Sequence, residues 1–570
     1  MTSDTTASPA QSLQSLLDAT WARDMAADPL LATYVGETAY NAAWPDLSPA
    51  ARAARQAADR AALAQLQAIP RGELPEQEAL THELFELELQ GRIKLQDFFH
   101  EAYAITAREG PQSLNELAEL MPLDSPADLQ VWLQRLRGLP AYLAQYEDLL
   151  TEAVSRGHTQ PRCLMERVLP QLDAQLVDEP SASPFFSAFR ALPDSGPQTQ
   201  ELRKQALALI GEQLVPAYRR FRAFFVDHYL SACRESHGIW DSPQGEAYYA
   251  NRIAHHTNTT LSAEDIHQIG LAEVARIQGE MQAVMESLDF QGSLQDFFEW
   301  LRTDPRFYAP DADSLFAAYV LACKRIDPEL PKLFGTLPRT PYGVRPIPDT
   351  SAPNTTAAYY SGPSEDGRRA GYYYVNLYRP EMRPLYEVEV LTTHEAVPGH
   401  HLQIALAQEQ GALPKFRRFA AYNGYLEGWA LYAERLGYEL GLYRDPFSHF
   451  GQLTYDMWRA VRLVVDTGIH AMRWTREEAI AYFRAHAAKT EVDIVNEVDR
   501  YIGWPAQALS YKIGQLHMLA LRSRAEQTLG DRFELRAFHD AVLAGGAVPL
   551  NVLERRIDAW ISSVAVARAG

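Results

Sequence analysis

The chain has 570 residues, 53 Lys and Arg against 73 Asp and Glu, a net charge of −20, and 47% hydrophobic with 22% charged residues. That length exceeds one hydrophobic core for most folds, so two or three subdomains are expected. The acidic balance argues against nucleic acid or an anionic membrane surface as the main partner, and does not identify a substrate.

From the N-terminus, "MTSDTTASPAQSLQSLLDATWARD" lacks a basic segment followed by an apolar one, and no run of 18 apolar residues occurs anywhere. Neither export nor a membrane span is expected. "SLQSLLDATWARDMAAD", "AARAARQAADRAALAQLQAI", "EALTHELFELELQGRIKLQ" and "ADLQVWLQRLRGLPAYLAQYEDLLTEAVSRG" place apolar residues at helical spacing, with breakers such as "LMPLDSPAD" between them. Ser125 or Asp128 is a start signal for the fourth helix, and Ser262 for "TTLSAEDIHQIGLAEVARIQGEMQAVMESL". The texture changes near 331–380, where Pro, Gly, Thr and Tyr accumulate. "TTAAYY" and "GYYYVNLY" read there as two strands joined by "SGPSEDGRR". Long helices then resume: "FAAYNGYLEGWALYAERLGYELGL", "FGQLTYDMWRAVRLVVDTGIHAM", "TREEAIAYFRAHA" and, opened by Pro505, "PAQALSYKIGQLHMLALRSRAEQTL". A mainly α fold is expected, with a small β-sheet beside the metal-site helix. Its regions are 1–240, 241–330 as a helical connection, and 331–570. Three widely separated cysteines, Cys163, Cys233 and Cys323, suggest no disulfide framework and a cytoplasmic location.

The densest chemistry lies in His394-Glu395-Ala396-Val397-Pro398-Gly399-His400-His401. Zinc-binding His-Glu-x-x-His helices place their histidines four apart, on one face. Here the second histidine comes six or seven residues after the first. A continuous helix would put His400 about 240° round the axis, and His401 roughly 10 Å along it. Pro398 cannot continue a helix and steers Val397 out of helical angles, while Gly399 tolerates angles other residues avoid. Together they permit a bulge that returns a late histidine to His394. A third ligand is expected from a following helix. In "YNGYLEGWALYAERLGYEL", Glu427 is preferred because Gly428 beside it lets helices approach closely. Glu434, on the same face, is a candidate to orient a histidine from behind, and Glu439 reads as a solvated acid. Asp466 and His470, four apart, share a helical face and form a second polar pair.

"TTHEAVPGHHLQ", "YLEGWALYAE", "RLVVDTGIHAMRWTREEAIAYF" and "RYIGWPAQALSYKIG", with the early "DPLLATYVGETAYNAAWPDLS", resemble the bacterial family called domain of unknown function 885. The resemblance implies a gluzincin-like zinc metallopeptidase, similar to thimet oligopeptidase and angiotensin-converting enzyme, with two helical lobes around a deep channel. In those relatives Gly-His closes the metal motif, which implies His394, His400 and Glu427 as the ligands of one Zn2+ per chain, with His401 as the rival. Glu395 would be the general base on the attacking water. Tyr511, in a late helical segment that such folds recruit, would stabilise the oxyanion. Lys512 and Arg500 are candidates for a substrate carboxylate. Tyr374 lies in "GYYYVNLYR", read as an edge strand that adds an extended peptide as a further strand. The expected substrate is a short peptide or small amide, and the assembly considered is a homodimer. The competing readings are hydrolysis of a non-peptide amide and a helical binding protein without activity.

Overall fold

The computed structural model describes residues 8–191, 196–348, 352–354, 356–363 and 369–566. The chain is mainly helical, with one small three-stranded sheet. It forms two compact units, Met1–His237 with Asp241–Gly245, and Gly238–Trp240 with Glu246–Gly570.

The first unit is built on α1 (Pro126–Ser155). Ser125 caps it by accepting from the Asp128 amide, as the sequence suggests, and Trp132, Leu136, Leu143 and Leu150 are fully buried along its length. The repeat of those positions every three to four residues is what turns one face inward.

The second unit carries the chemistry-bearing residues. In chain order it contains α2 (Gly245–Thr257), α3 (Ala263–Ser287), α4 (Ala312–Ile326), β1 (Tyr342–Pro346), β2 (Ala358–Ser361), β3 (Gly371–Val375), α5 (Val388–Glu395), α6 (His400–Gln408), α7 (Asn423–Leu436), α8 (Pro446–His470), α9 (Glu491–Gly503) and α10 (Ser510–Leu529). Ser262 caps α3 in a reciprocal box with Asp265. Helix α8 is buried on nearly every side from Phe450 to His470 and forms the axis of the unit, with α3 packed along it. A helix enclosed in this way must find internal partners for every charge it carries.

The strand order is β1-β3-β2, β3 pairing parallel with β1 and antiparallel with β2. Two strands match the sequence reading, and β1 is additional: "YGVRP" ends in proline and is flanked by it, a pattern compatible with an edge. The edge-strand reading of "GYYYVNLYR" is corrected here, because β3 is the central strand and both its edges are paired. The join "SGPSEDGRR" lies partly outside the described residues. Pro505 does not open α10, which begins at Ser510. Ala506 instead adopts a left-handed conformation at φ 68°, and its N–H is held by the Asp466 carboxylate at 3.2 Å.

Candidate metal centre

Helix α5 ends at Glu395 and α6 begins at His400, so the four residues between them form the expected bend. The bend is tight. A Cβ on Gly399 would lie 1.9 Å from the His394 carbonyl oxygen and 2.4 Å from that of Thr393, so only glycine fits. Trp429 of α7 donates its indole N–H to the Pro398 carbonyl at 2.8 Å, which ties the bend to the helix carrying Glu427. Folded this way, the His394 and His400 rings stand edge to face at 4.9 Å between centroids.

Three donor atoms converge. Glu427 Oε2 lies 3.7 Å from His394 Nε2 and 3.5 Å from His400 Nε2, and all three ligand atoms lie within 4.8 Å of one another. These separations are long for hydrogen bonds but close to the roughly 3.3–3.6 Å between ligands of a tetrahedral zinc bound at about 2.0–2.2 Å. Glu427 Oε2 and His400 Nδ1 are buried, with no hydrogen-bond partner among the described residues. A buried carboxylate oxygen without a donor is costly, and a cation relieves that cost. The donor set of two imidazoles and one carboxylate therefore fits a divalent zinc ion.

The surroundings fix the orientation of these side chains. His394 Nδ1–H donates to Glu434 at 2.9 Å, which aims Nε2 at Glu427. Glu434 is fully buried and receives Arg459 at 3.3 Å. Burial by itself would push the His394 imidazole down, but Glu427, Glu434 and Glu395 outweigh it and raise the group to about 9. Burial would likewise raise Glu427, yet His394 and His400 hold its carboxyl well below the usual range. Glu395 is 9% exposed and follows directly on His394.

Tyr511 reaches this neighbourhood from α10. Gly428 of α7 packs on Gly514, and a Cβ on either would stand 2.6–2.7 Å from the other's backbone, which is the close helix approach anticipated beside Glu427. Burial first and then the Glu427 charge raise the Tyr511 phenol, against Arg462 and Arg500, so it stays protonated and a donor. Arg462 lies over its ring at 4.3 Å, and Gln507 Nε2 is 3.5 Å from its hydroxyl.

Several expected residues sit elsewhere. His401 is not a ligand: its Nδ1 pairs with the Tyr360 hydroxyl at 2.8 Å and its Nε2 with the Thr340 carbonyl at 3.2 Å. Burial pushes it down to about 4, so it is a neutral packing group. Lys512 is not a free substrate-binding cation either. It is 1% exposed, and its ammonium donates to Asp456 at 2.6 Å and Gln515 at 2.9 Å and pairs with Glu273 at 2.8 Å. All three guanidinium nitrogens of Arg500 are taken by Glu497 and Gln507, so it supports the Tyr511 surroundings instead. Tyr374 stacks on Tyr359 at 4.8 Å. Strand alternation puts it on the face opposite Tyr373, which is fully buried towards α4, α5 and the Glu395 charge. Asp466 and His470 are both fully buried but do not pair. Asp466 accepts from Tyr249 at 2.6 Å and from Ala506, while His470 accepts from the Ile239 amide at 3.0 Å and donates to the Tyr501 carbonyl at 2.9 Å.

Two contributors escaped the sequence reading. Arg459 completes the line His394–Glu434–Arg459, and its signal was an arginine in a long helix whose neighbouring positions are mostly apolar, among Asp456, Arg462 and Asp466. Tyr373 places a buried phenolic oxygen, without a partner among the described residues, towards the Glu395 side of the sheet.

The chain belongs to the bacterial protein family of unknown function DUF885, whose model matches residues 29–557. It is similar to the crystal structure of a candidate lipoprotein from Colwellia psychrerythraea, with a TM-score of 0.92 and 30% identity, covering 98% of this chain and 100% of that one. A structure of a candidate lipoprotein of unknown function from Shewanella oneidensis shares the fold, with a TM-score of 0.73 and 21% identity, covering 96% of this chain and 99% of that one. No curated protein matches the chain.

Proposed function

We propose that the protein is a zinc-dependent hydrolase of peptide bonds in short peptides, similar to gluzincin metallopeptidases. The observation that carries this reading is the convergence of His394 Nε2, His400 Nε2 and Glu427 Oε2 at ligand-to-ligand spacing, the buried Glu427 oxygen having no hydrogen-bond donor among the described residues. Zinc held by three protein ligands supplies Lewis acidity and an open fourth position. The chain's own groups do the rest. Glu434 fixes the His394 tautomer, Glu395 takes the proton of the attacking water and returns it to the leaving amine, and Tyr511 donates from its phenol to the developing oxyanion. The side chains of His394, His400 and Glu427 are 4%, 14% and 17% exposed, so the scissile bond must enter a recess. An extended short peptide can do this, whereas the backbone of a folded protein cannot. Edge strand β2 lies against α5 and supports the placement of such a peptide.

No described helix is long and apolar enough to cross a membrane. The three cysteines are free, which supports a cytoplasmic location, whereas the description of the Colwellia relative points outside the cytoplasm; fractionation of cells making the tagged chain decides between them.

Metal analysis of the purified protein should return one zinc per chain, and mass spectrometry of a peptide mixture should reveal cleavage that Glu395→Gln abolishes while zinc is retained. Full activity in Glu395→Gln, or turnover of small acylated amines but of no peptide, would overturn the reading.

A further inference from the structure

The start of α7 carries a polar cluster that the chemistry above does not use. Asn423 lies one turn before Glu427, about 6 Å along the helix and on the same partly exposed face. Its amide Nδ2 donates to His256 Nδ1 at 2.9 Å. With Nδ1 accepting, the His256 proton resides on Nε2. His256 is 4% exposed, and Nε2 has no hydrogen-bond partner among the described residues. Burial, with the charges of His255 and Arg252, keeps the ring well below its usual pKa and therefore neutral. A buried N–H without an acceptor is uncommon enough to need a reason.

Arg252 stands one turn before His256 on α2. Its guanidinium donates to the side-chain oxygen of the adjacent Asn251, at 3.2 and 2.8 Å, and lies 5.8 Å from the Tyr248 ring centroid. Among the described residues no carboxylate pairs with it. In a protein of net charge −20 that is a conspicuous cation to leave without a counter-ion. The contrast with Arg459, Arg462, Arg500 and Lys512, each bound to buried carboxylates, is direct. Trp504 meets His256 edge-on at 6.5 Å and is 44% exposed, offering an apolar wall beside the same polar groups.

The geometry points to a carboxylate-binding subsite formed by Arg252 and His256, with Asn423 as a positioning residue, one helical turn from Glu427. A half-buried guanidinium without a counter-ion and an imidazole N–H without an acceptor complement a planar anion with two oxygens. The subsite deepens the proposed hydrolase reading and rests on it for its place in a reaction: it would select peptides presenting a carboxylate near the bond to be cut. That carboxylate is either the peptide C-terminus or an acidic side chain.

The test reads binding instead of turnover. Full-length Glu395→Ala protein is titrated calorimetrically with tetra-alanine as the free acid, as the C-terminal amide, and as an amide whose last residue is aspartate. The free acid should bind roughly 10- to 100-fold more tightly than the plain amide. Arg252→Gln and His256→Ala should each remove most of that difference by weakening the acid alone, and Arg252→Lys should restore part of it. Tight binding of the aspartyl amide identifies a side-chain carboxylate as an acceptable source, and weak binding restricts the subsite to the terminus. Equal binding of acid and amide, no binding of either, or a preference that survives in both folded variants overturns the subsite. Absence of peptide cleavage by the unsubstituted protein would overturn the hydrolase reading while leaving a carboxylate preference standing, so the two failures are distinguishable.

Discussion

Two clusters of buried charge lie in the second unit, and they are built on opposite principles. Around Lys512, the ammonium meets three acceptors, both Asp456 oxygens are engaged, and Arg276 adds a 2.8 Å contact to Asp456. Around Glu427, the ligand atoms face one another at 3.5–3.7 Å, and Glu427 Oε2 has no hydrogen-bond partner among the described residues. The first cluster is complete as it stands, whereas the second turns two imidazole nitrogens and one carboxylate oxygen towards a common point. Both are largely buried. What separates a structural ion network from a ligand-ready one is whether every polar atom already has its partner.

The largest effect should come from Glu427→Ala. It is expected to lose zinc altogether and, with it, hydrolysis, as read by metal analysis and peptide cleavage. A chelator should lower the melting temperature of the unsubstituted protein and leave the variant's unchanged, because an ion that binds only the folded state stabilises it. Retention of one zinc per chain by the variant would place the ion elsewhere. Lys512→Met should cost about 3–5 kcal/mol in denaturant unfolding, since Asp456 and Glu273 would lose their buried partner, while zinc content of the folded protein stays at one. A variant of unchanged stability but weakened substrate affinity would return Lys512 to the substrate.

Glu434→Ala should weaken zinc roughly 10- to 100-fold in competition with a chelating dye, by freeing the His394 ring. Unaltered affinity would show that Glu434 serves packing alone. A pH-dependent effect concerns Asp466, a third kind of buried charge. Burial raises its carboxyl to about 7, against the opposing pull of Tyr249, Ala506 and Arg500. The unfolded value is about 3.9, so the folded state keeps its proton longer. That contribution to stability is full below about pH 4 and is lost as pH rises to about 7. Asp466→Asn cannot titrate, so its stability should fall less than that of the parent between those limits. Parallel pH curves would show that the carboxyl ionises normally.

The architecture was legible wherever local rules decide it. Ser125 and Ser262 capped the helices they announced, and Pro398 with Gly399 made the break that their backbone limits require. The convergence of His394, His400 and Glu427 was legible because His394 and His400 cluster in sequence and Gly428 marks a close approach. What could not be read were the directions in which side chains point after tertiary packing. Lys512 follows Tyr511 directly, and only the position of α10 between α7 and α8 turns one inward to carboxylates and leaves the other beside Glu427. Tyr374 was assigned to an edge because β1 carries almost no strand signal, and strand centrality depends on partners far along the chain. His400 and His401 differ by one residue, hence by about 100° of helix, and the angle of α6 relative to α5 decides which imidazole faces His394.

The contact between Gly428 and Gly514 has a consequence for how the centre can change. Because main chain there rests on main chain, no rotamer can absorb an added methyl group: an alanine at either position would act as a shim, spreading α7 from α10. The gap between the carboxylate and the phenol is thus set by a rigid gauge, and lineages that alter it would have to shift whole helices.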